Sequence, residues 1–217
     1  SEPDPEPQVV YRTTKLTNGE ISRVSRGVGV DWDSLAGLLD IPYSEREEIR
    51  INDRKYPDSY AKAGQILELF NGRWDFSRHI LEKCVEELKR QDLKDELHPV
   101  ENEIEEIEPS PTEPQVHPYE NVVLRNTPLS PREMHRLSRR ITVDWDSLAG
   151  LMDIAKEERN DIRQNTMYND NRDRAEKILS MFNHKRDFSR EKLADCLKGM
   201  RKEELISPIM TGQWRNL

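Results

Sequence analysis

Residues 30–41 read Val-Asp-Trp-Asp-Ser-Leu-Ala-Gly-Leu-Leu-Asp-Ile, and residues 143–154 repeat them with a single change, Leu to Met at the tenth position. The match continues on both sides, although the second copy lacks one residue opposite the segment between Tyr56 and Ala63. Self-similarity of this extent indicates a duplicated domain of about 85–90 residues. Each copy is long enough to fold by itself, unlike a solenoid repeat.

The repeated stretch has the period of an amphipathic helix. Its apolar residues Trp32, Leu35, Ala36 and Leu39 recur at positions i, i+3, i+4 and i+7. This spacing places them on one stripe of an α-helix, where they face the interior. Trp145 heads the same stripe in the second copy, so the sequence predicts that both indoles pack inward.

Both copies also carry a signal for an earlier helix start. Thr17 is followed three residues later by Glu20, and Ser130 by Glu133. This pattern predicts a capping box, in which side chain and backbone at the helix start bond reciprocally. Pro131 stands at the first helical position, where its missing N–H costs nothing.

The remaining patterns are helical too, and no segment shows the alternation of a strand. Asp31 and Asp144 are predicted to cap the second helix. A third helix is predicted over 44–53 and 157–165, followed by two apolar helices and a short sixth near 93–97 and 203–206. The sequence therefore predicts an all-α fold in which each copy is a six-helix bundle with short loops. The predicted core comprises Trp32, Leu35, Ile49, Ile66, Phe70, Leu81, Trp145, Leu148, Ile162, Ile178, Phe182 and Leu193.

Charge is distributed unevenly along the chain, whose net charge is -8. Residues 8–98 hold 15 basic and 17 acidic side chains, residues 99–120 hold 7 acidic and no basic ones, and residues 121–217 hold 19 basic and 15 acidic ones. The acidic, proline-containing middle segment is typical of an extended linker. We therefore expect a disordered acidic tail at 1–8, a first bundle at 9–98, a linker at 99–120, a second bundle at 121–210 and a C-terminal tail at 211–217.

Several classes of function find no support in the sequence. The chain has no Gly-rich phosphate loop, no nucleophile–base pair, no spaced cluster of metal ligands and no apolar run long enough to span a bilayer. Cys84 and Cys196 fall on the apolar face of the fifth helix, so we expect inert buried thiols and a reducing, cytoplasmic compartment. We expect no enzyme activity, cofactor, metal, small-molecule substrate or membrane partner.

The pattern resembles that of death domains. The resemblance is carried by Trp32-x-x-Leu-Ala-x-Leu-Leu-x-Ile, then Ile49, then Ala63-x-x-Ile-Leu-x-x-Phe, then Leu81 to Leu88, and it recurs in the second copy. It implies a six-helix Greek-key bundle that does no chemistry. It also implies that such bundles associate through charged patches on helices one and four, on helices two and three, and on the corners between them, in apoptotic or innate-immune signalling.

Charged residues retained in both copies are the candidate interaction sites. Arginines recur on the first and third helices, and aspartates recur at the start of the second, where they suit helix termini better than acid–base catalysis. Arginine pairs bidentately with carboxylates, so these exposed-type positions are predicted to serve docking. The candidates are Arg23, Arg26, Arg46, Arg50, Arg136, Arg139, Arg159, Arg163, Asp31, Asp33, Asp144 and Asp146.

These features predict a cytoplasmic adaptor or scaffold whose tandem bundles bind other death-domain proteins or self-associate. The acidic first copy and the basic second copy either contact different partners or dock on each other. The alternative is a helical nucleic-acid-binding protein that uses the basic second bundle, but the net negative charge favours the adaptor, with no nucleic-acid partner.

Overall fold

The computed structural model describes residues 15–97 and 124–217, which we call the N-terminal half and the C-terminal half. The predicted tail at 1–8 and linker at 99–120 lie outside the described residues. The helices of the N-terminal half are α1 (Asn18–Val28), α2 (Trp32–Leu38), α3 (Tyr43–Ile51), α4 (Ser59–Asn71), α5 (Arg78–Glu87) and α6 (Gln91–Glu96).

The C-terminal half repeats this order and adds a turn at its end. Its helices are α7 (Pro131–Ile141), α8 (Trp145–Leu151), α9 (Lys156–Gln164), α10 (Asn171–Asn183), α11 (Arg190–Gly199) and α12 (Ile206–Thr211). Short 3-10 turns precede α2, α8 and α12, and a last one follows at Gln213–Arg215. The predicted all-α class is confirmed, and no strand occurs in the two described ranges.

The helix starts explain much of the local structure. Both predicted capping boxes are confirmed, because Thr17 and Ser130 accept from the backbone three residues on while Glu20 and Glu133 reach back. The predicted cap of the second helix is wrong in its chemistry. Asp31 stands at that position, but its carboxylate pairs with Arg90 at 2.8 Å rather than with the helix backbone.

Asp144 differs from the prediction in the same way, since its side chain makes no capping hydrogen bond and lies 3.3 Å from Lys202. The 3-10 turn before each second helix supplies the geometry of the start instead. These two aspartates therefore tie the second helix to the end of their own half.

Each half has its own cluster of buried apolar side chains. All twelve predicted core residues are buried, including both indoles. Phe70 packs on Phe76 with ring centroids 5.2 Å apart, and Phe182 packs on Phe188 at 5.3 Å. Tyr43 is the exception to this separation, since it belongs to the N-terminal half by sequence but lies in the cluster of the C-terminal half.

An Arg–Glu pair with a buried arginine joins the starts of the first and fifth helices in each half. Arg78 pairs with Glu20, and Arg190 pairs with Glu133 with both side chains fully buried. The hydrogen bond from Arg78 lowers the pKa of Glu20 to about 2. The capping-box glutamate thus serves two purposes, because it bonds the helix start and neutralises a buried guanidinium.

The last residues, assigned by sequence to a tail at 211–217, pack against α7. Trp214 is buried in the C-terminal cluster, and Arg140 stacks over its ring at 4.4 Å. Arg136 donates to the carbonyl of Trp214 at 3.1 Å. This end of the chain therefore helps to hold α7 in position beside the N-terminal half.

Candidate interface between the two halves

The two halves meet through helices that present charge. The N-terminal half contributes its second and third helices, α2 and α3. The C-terminal half contributes its first and fourth, since α7 packs on α2 and α10 forms ion pairs with α2 and α3. Arg46 and Arg50 lie four residues apart on α3, as do Arg172 and Glu176 on α10, so each pair shares one helix face. We call these two surfaces the α2–α3 face and the α7–α10 face.

Asp33, in the first turn of α2, lies at the centre of the contact. Arg46 Nη1 lies 3.3 Å from its Oδ1, and Arg50 Nη2 lies 2.9 Å from its Oδ2. Arg172 of the other half donates to the same Oδ2 at 2.8 Å. One carboxylate therefore receives three guanidinium groups, two from its own half and one from the opposite half.

Glu176 makes the reciprocal connection from α10. Arg46 of the N-terminal half pairs with its Oε1, and Arg172 donates to its Oε2 at 2.6 Å. Arg172 also donates to Asp173 at 2.5 Å. Three arginines and three carboxylates thus alternate across the contact, and their charges balance.

Burial of this network is deep enough to shift its protonation equilibria. Burial favours the neutral form of Asp33, but the charges of Arg46, Arg50 and Arg172 outweigh it, so the pKa of Asp33 is lowered. The pKa of Glu176 is lowered for the same reason, since two arginines overcome its desolvation. The groups therefore stay ionised while docked.

Burial of the network makes docking depend on matched charges. Removing charges from water costs several kcal/mol per ion, and the mutual attraction recovers this only with good geometry. Arg46 is fully buried, and Asp33 and Glu176 are 6% and 1% exposed. Loss of any one partner leaves an uncompensated buried charge, so docking depends on the match between the charges of the two faces.

A glycine permits the close approach of α2 to α7. A Cβ built at Gly37 would lie 3.0 Å from the Cβ of His135, which is tighter than most real contacts. Burial lowers the pKa of His135 to about 3, with Arg172 and Arg46 adding to the effect. The imidazole is therefore neutral at physiological pH, and its Nδ1 lies 3.2 Å from Arg172 Nη1.

Beside the network, Arg132 of α7 bonds the end of α2. Its Nε donates to the carbonyl of Leu38 at 2.8 Å, and its backbone N–H donates to Asp40 Oδ1 at 3.1 Å. A helix C-terminus carries partial negative charge, so a guanidinium is well placed there.

The α3 side of the contact adds an aromatic ring and an ion pair. Tyr43 is 4% exposed, and Arg46 lies over its ring at 5.1 Å. Burial raises the pKa of Tyr43. Glu47 accepts from Lys177 at 3.0 Å and from the Tyr168 hydroxyl at 3.2 Å.

Arg136 closes the opposite rim by reaching the end of α5. It donates to both carboxylate oxygens of Glu87, at 3.1 and 2.8 Å. This bidentate geometry fixes orientation as well as charge.

The predicted docking residues fall into two groups. Asp33, Arg46, Arg50 and Arg136 lie in the contact. The prediction that Arg46 and Arg50 are exposed is wrong, because the C-terminal half covers them. The others lie elsewhere: Arg23, Arg26, Arg139, Asp31, Asp144, Asp146, Arg159 and Arg163.

Sequence reasoning missed most of the opposing face. His135, Arg172 and Glu176 correspond by repeat alignment to Ser22, Tyr60 and Gly64. Charge retained in both copies indicates only positions that the two copies share, so it does not reveal Arg172 or Glu176, which occur in one copy alone. The spacing Arg172-x-x-x-Glu176 was the available signal, but it is common on solvated helices.

Other features of the described residues bear on function. No group of three or more His, Cys, Asp or Glu that could hold a metal ion occurs within 15–97 and 124–217. No helix in those ranges is long and apolar enough to cross a membrane. Cys84 is buried, and burial raises its pKa to about 12, whereas Cys196 is half-buried. Compared with models of protein families, curated proteins and solved structures, the chain has no match.

Proposed function

We propose that the chain is a non-enzymatic protein-interaction module of two six-helix Greek-key bundles of the death-domain type, spanning residues 9–98 and 121–210. It acts as an adaptor in apoptotic or innate-immune signalling, and its binding is homotypic, between helical bundles. The observation that carries the proposal is the buried ion network that joins the α2–α3 face to the α7–α10 face.

The helices in contact support this assignment. The resemblance implies that bundles associate through charged patches on the first and fourth helices, on the second and third helices, and on the corners between them. The contact between the halves involves helices of both patches, since α2 packs on α7 and ion pairs join α10 to α2 and α3. This use of both patches supports the proposal that the two bundles bind each other homotypically.

The charge distribution argues against the nucleic-acid alternative. Arg132, Arg136 and Arg172 of the basic half bond carbonyls and carboxylates of the N-terminal half. Guanidinium groups engaged in this way are unavailable to neutralise phosphates. Nucleic-acid binding by the full chain at about 150 mM salt in a gel-shift assay would overturn the proposal.

The direct test is to cut the chain between the bundles. A protease site placed within residues 99–120 allows the full chain to be folded first and cleaved afterwards. We expect the two fragments to co-elute in size-exclusion chromatography. The variant Arg46→Glu with Arg50→Glu should separate the fragments while helicity by circular dichroism is retained.

A charge exchange provides the matched control. Arg46→Glu and Glu176→Arg each place like charges together, whereas the two combined restore opposite charges at the same contact. We expect each single variant to separate the fragments and the double variant to recover part of the association. Wild-type fragments that elute separately would refute recognition between these faces.

A further inference from the structure

The C-terminal half carries a second copy of the docked charge arrangement. Arg159 Nη1 lies 3.5 Å from the backbone oxygen of Asp146 and 3.3 Å from its Oδ1. Arg46 Nη1 lies 3.3 Å from both corresponding atoms of Asp33. The arginine of the third helix therefore has the same position in both halves.

Arg50, the remaining residue of the arrangement, also has a counterpart in the C-terminal half. Arg163 Nη2 lies 3.1 Å from Asp146 Oδ1 and its guanidinium lies over Trp145 at 5.3 Å. Arg50 Nη2 pairs with the other oxygen of its aspartate, Asp33 Oδ2, at 2.9 Å, and its guanidinium lies 6.0 Å from the centroid of the Trp32 ring. We call the surface formed by Asp146, Arg159 and Arg163 the α8–α9 face.

The α8–α9 face is uncovered, whereas the α2–α3 face is buried by the other half. The side chains of Asp146 and Arg163 are 39% and 48% exposed, against 9% for each of their counterparts. Leu151 is 49% exposed, while Leu38 at the same position is buried. A Cβ built at Gly150 would meet only the Arg159 side chain.

We propose that the α8–α9 face is a second docking site for the α7–α10 face, and that its occupant is a second copy of this chain. The copy that docks is one whose own α7–α10 face has left the α2–α3 face. Charge complementarity carries the inference, because Arg172 and Glu176 already engage the same Asp–Arg–Arg arrangement in the N-terminal half. The inference rests on the proposed function, because it takes from it that the α2–α3 face and the α7–α10 face bind each other.

The closed form should prevail in the resting chain. Tyr43, Glu47 and Glu87 contribute to the internal contact, and their counterparts on the α8–α9 side are Lys156, Asn160 and Gly199. The external site therefore lacks one buried ring and two ion-pair partners. The linker adds a high effective concentration to the internal contact, so the N-terminal half acts as a tethered competitor that blocks self-assembly.

The first and fourth helices of the N-terminal half, α1 and α4, do not fit the α8–α9 face. On α1 and α4 the counterparts of Arg172 and Glu176 are Tyr60 and Gly64, and the Tyr60 hydroxyl bonds Ser22 at 2.9 Å. This face offers neither the carboxylate for Arg159 nor the guanidinium for Asp146. Assembly would thus run from one C-terminal half to the next through a head-to-tail contact, which builds a ring where the rotation between copies closes and an open filament where it does not.

The test opens the internal contact while sparing the face that must dock. Gly37→Leu places a side chain against His135 and leaves the α7–α10 face intact, and Arg46→Glu does the same by charge. In sedimentation velocity we expect the wild-type full chain to be a monomer. Both variants should show a concentration-dependent rise in mean mass of at least twofold.

Matched variants then identify the face. Gly37→Leu with Gly150→Leu should return to a monomer, because the added side chain obstructs the α8–α9 face. Glu176→Lys opens the chain but removes the docking carboxylate, so it should be open and monomeric. Helicity by circular dichroism confirms that each variant is folded.

Two results would overturn the inference. One is a folded, open chain that stays monomeric in both Gly37→Leu and Arg46→Glu. The other is self-association that persists when Gly150→Leu is added. If the cleaved wild-type fragments remain together while either result is obtained, the proposed function stands and the second docking site alone fails.

Discussion

The α1–α4 surface of the N-terminal half and the α7–α10 face of the C-terminal half have the same helices and a different exterior. Ile66 and Ile178 are fully buried at equivalent positions. On the outside, Gly64 occupies the place of Glu176, and a Cβ built there would meet only Ser25 Oγ at 3.5 Å. A shared interior therefore preserves the bundle, while a few outward positions decide which face docks.

The largest expected effect tests what the two halves share. Trp32→Ala and Trp145→Ala each remove a buried indole from a core cluster. We expect each to cost about 3–5 kcal/mol of the free energy of unfolding of its own half. Thermal or urea denaturation measures this, and similar losses in the two halves would establish that the cores are equivalent. A loss below about 1 kcal/mol in either would contradict inward packing.

The next prediction tests position 176, where the two halves differ. Glu176→Ala leaves Arg46 buried without its carboxylate from the opposite half, which should weaken docking by about 3 kcal/mol. The binding constant of the cleaved fragments measures the loss. Gly64→Ala, at the matched position of α4, is the control and should change docking by less than about 0.5 kcal/mol.

Acid should loosen the contact through His135. Its pKa is about 3 when docked against an ordinary 6.5, so the undocked state takes up a proton first as the pH falls. The docking free energy that this group contributes is lost as the pH falls from about 7 towards 3, and the loss at about pH 5 is at most about 2 kcal/mol, since Arg172 stays beside the ring after undocking.

The measurement is fragment affinity between about pH 7 and pH 5, expected to fall by at most roughly thirtyfold. The pKa values of Asp33 and Glu176 are lowered, so these carboxylates stay ionised over that interval. Asp173 acts in the opposite sense, since burial raises its pKa. His135→Ser, which installs the residue of the first copy, should remove most of the acid sensitivity. Unchanged sensitivity in that variant would assign it to another group.

The smallest effect compares two arginines at the same repeat position. Arg136 pairs bidentately with Glu87 and is 11% exposed, whereas Arg23 lies 3.4 Å from Glu96 and is 59% exposed. We expect Arg136→Ala to weaken docking by about 1.5 kcal/mol, and Arg23→Ala to change it by about 0.5 kcal/mol or less. Equal effects would mean that the rim contact with Glu87 contributes nothing.

Local sequence patterns were sufficient to predict the helices and the core residues. The apolar stripe from Trp32 to Leu39 and the capping boxes at Thr17 and Ser130 act within one or two turns, so their consequences are readable from neighbouring residues. The predicted third helices at 44–53 and 157–165 lie within two residues of the observed ones. The second-helix caps were misassigned because the partners of Asp31 and Asp144, Arg90 and Lys202, are distant in sequence.

By itself, the sequence determined the helical class, the duplication and the inward position of the two indoles, since these depend on periodicity and burial. Only the tertiary structure decided that the side chains of Arg46 and Arg50 are 0% and 9% exposed while those of Arg159 and Arg163 are 21% and 48% exposed. The two pairs share the same spacing and the same contact with an aspartate of the second helix, and a four-residue spacing of arginines does not reveal which pair another element covers. The difference in burial depends on the element that packs against each pair. A charge is buried stably only where a neighbouring element supplies the opposite charge.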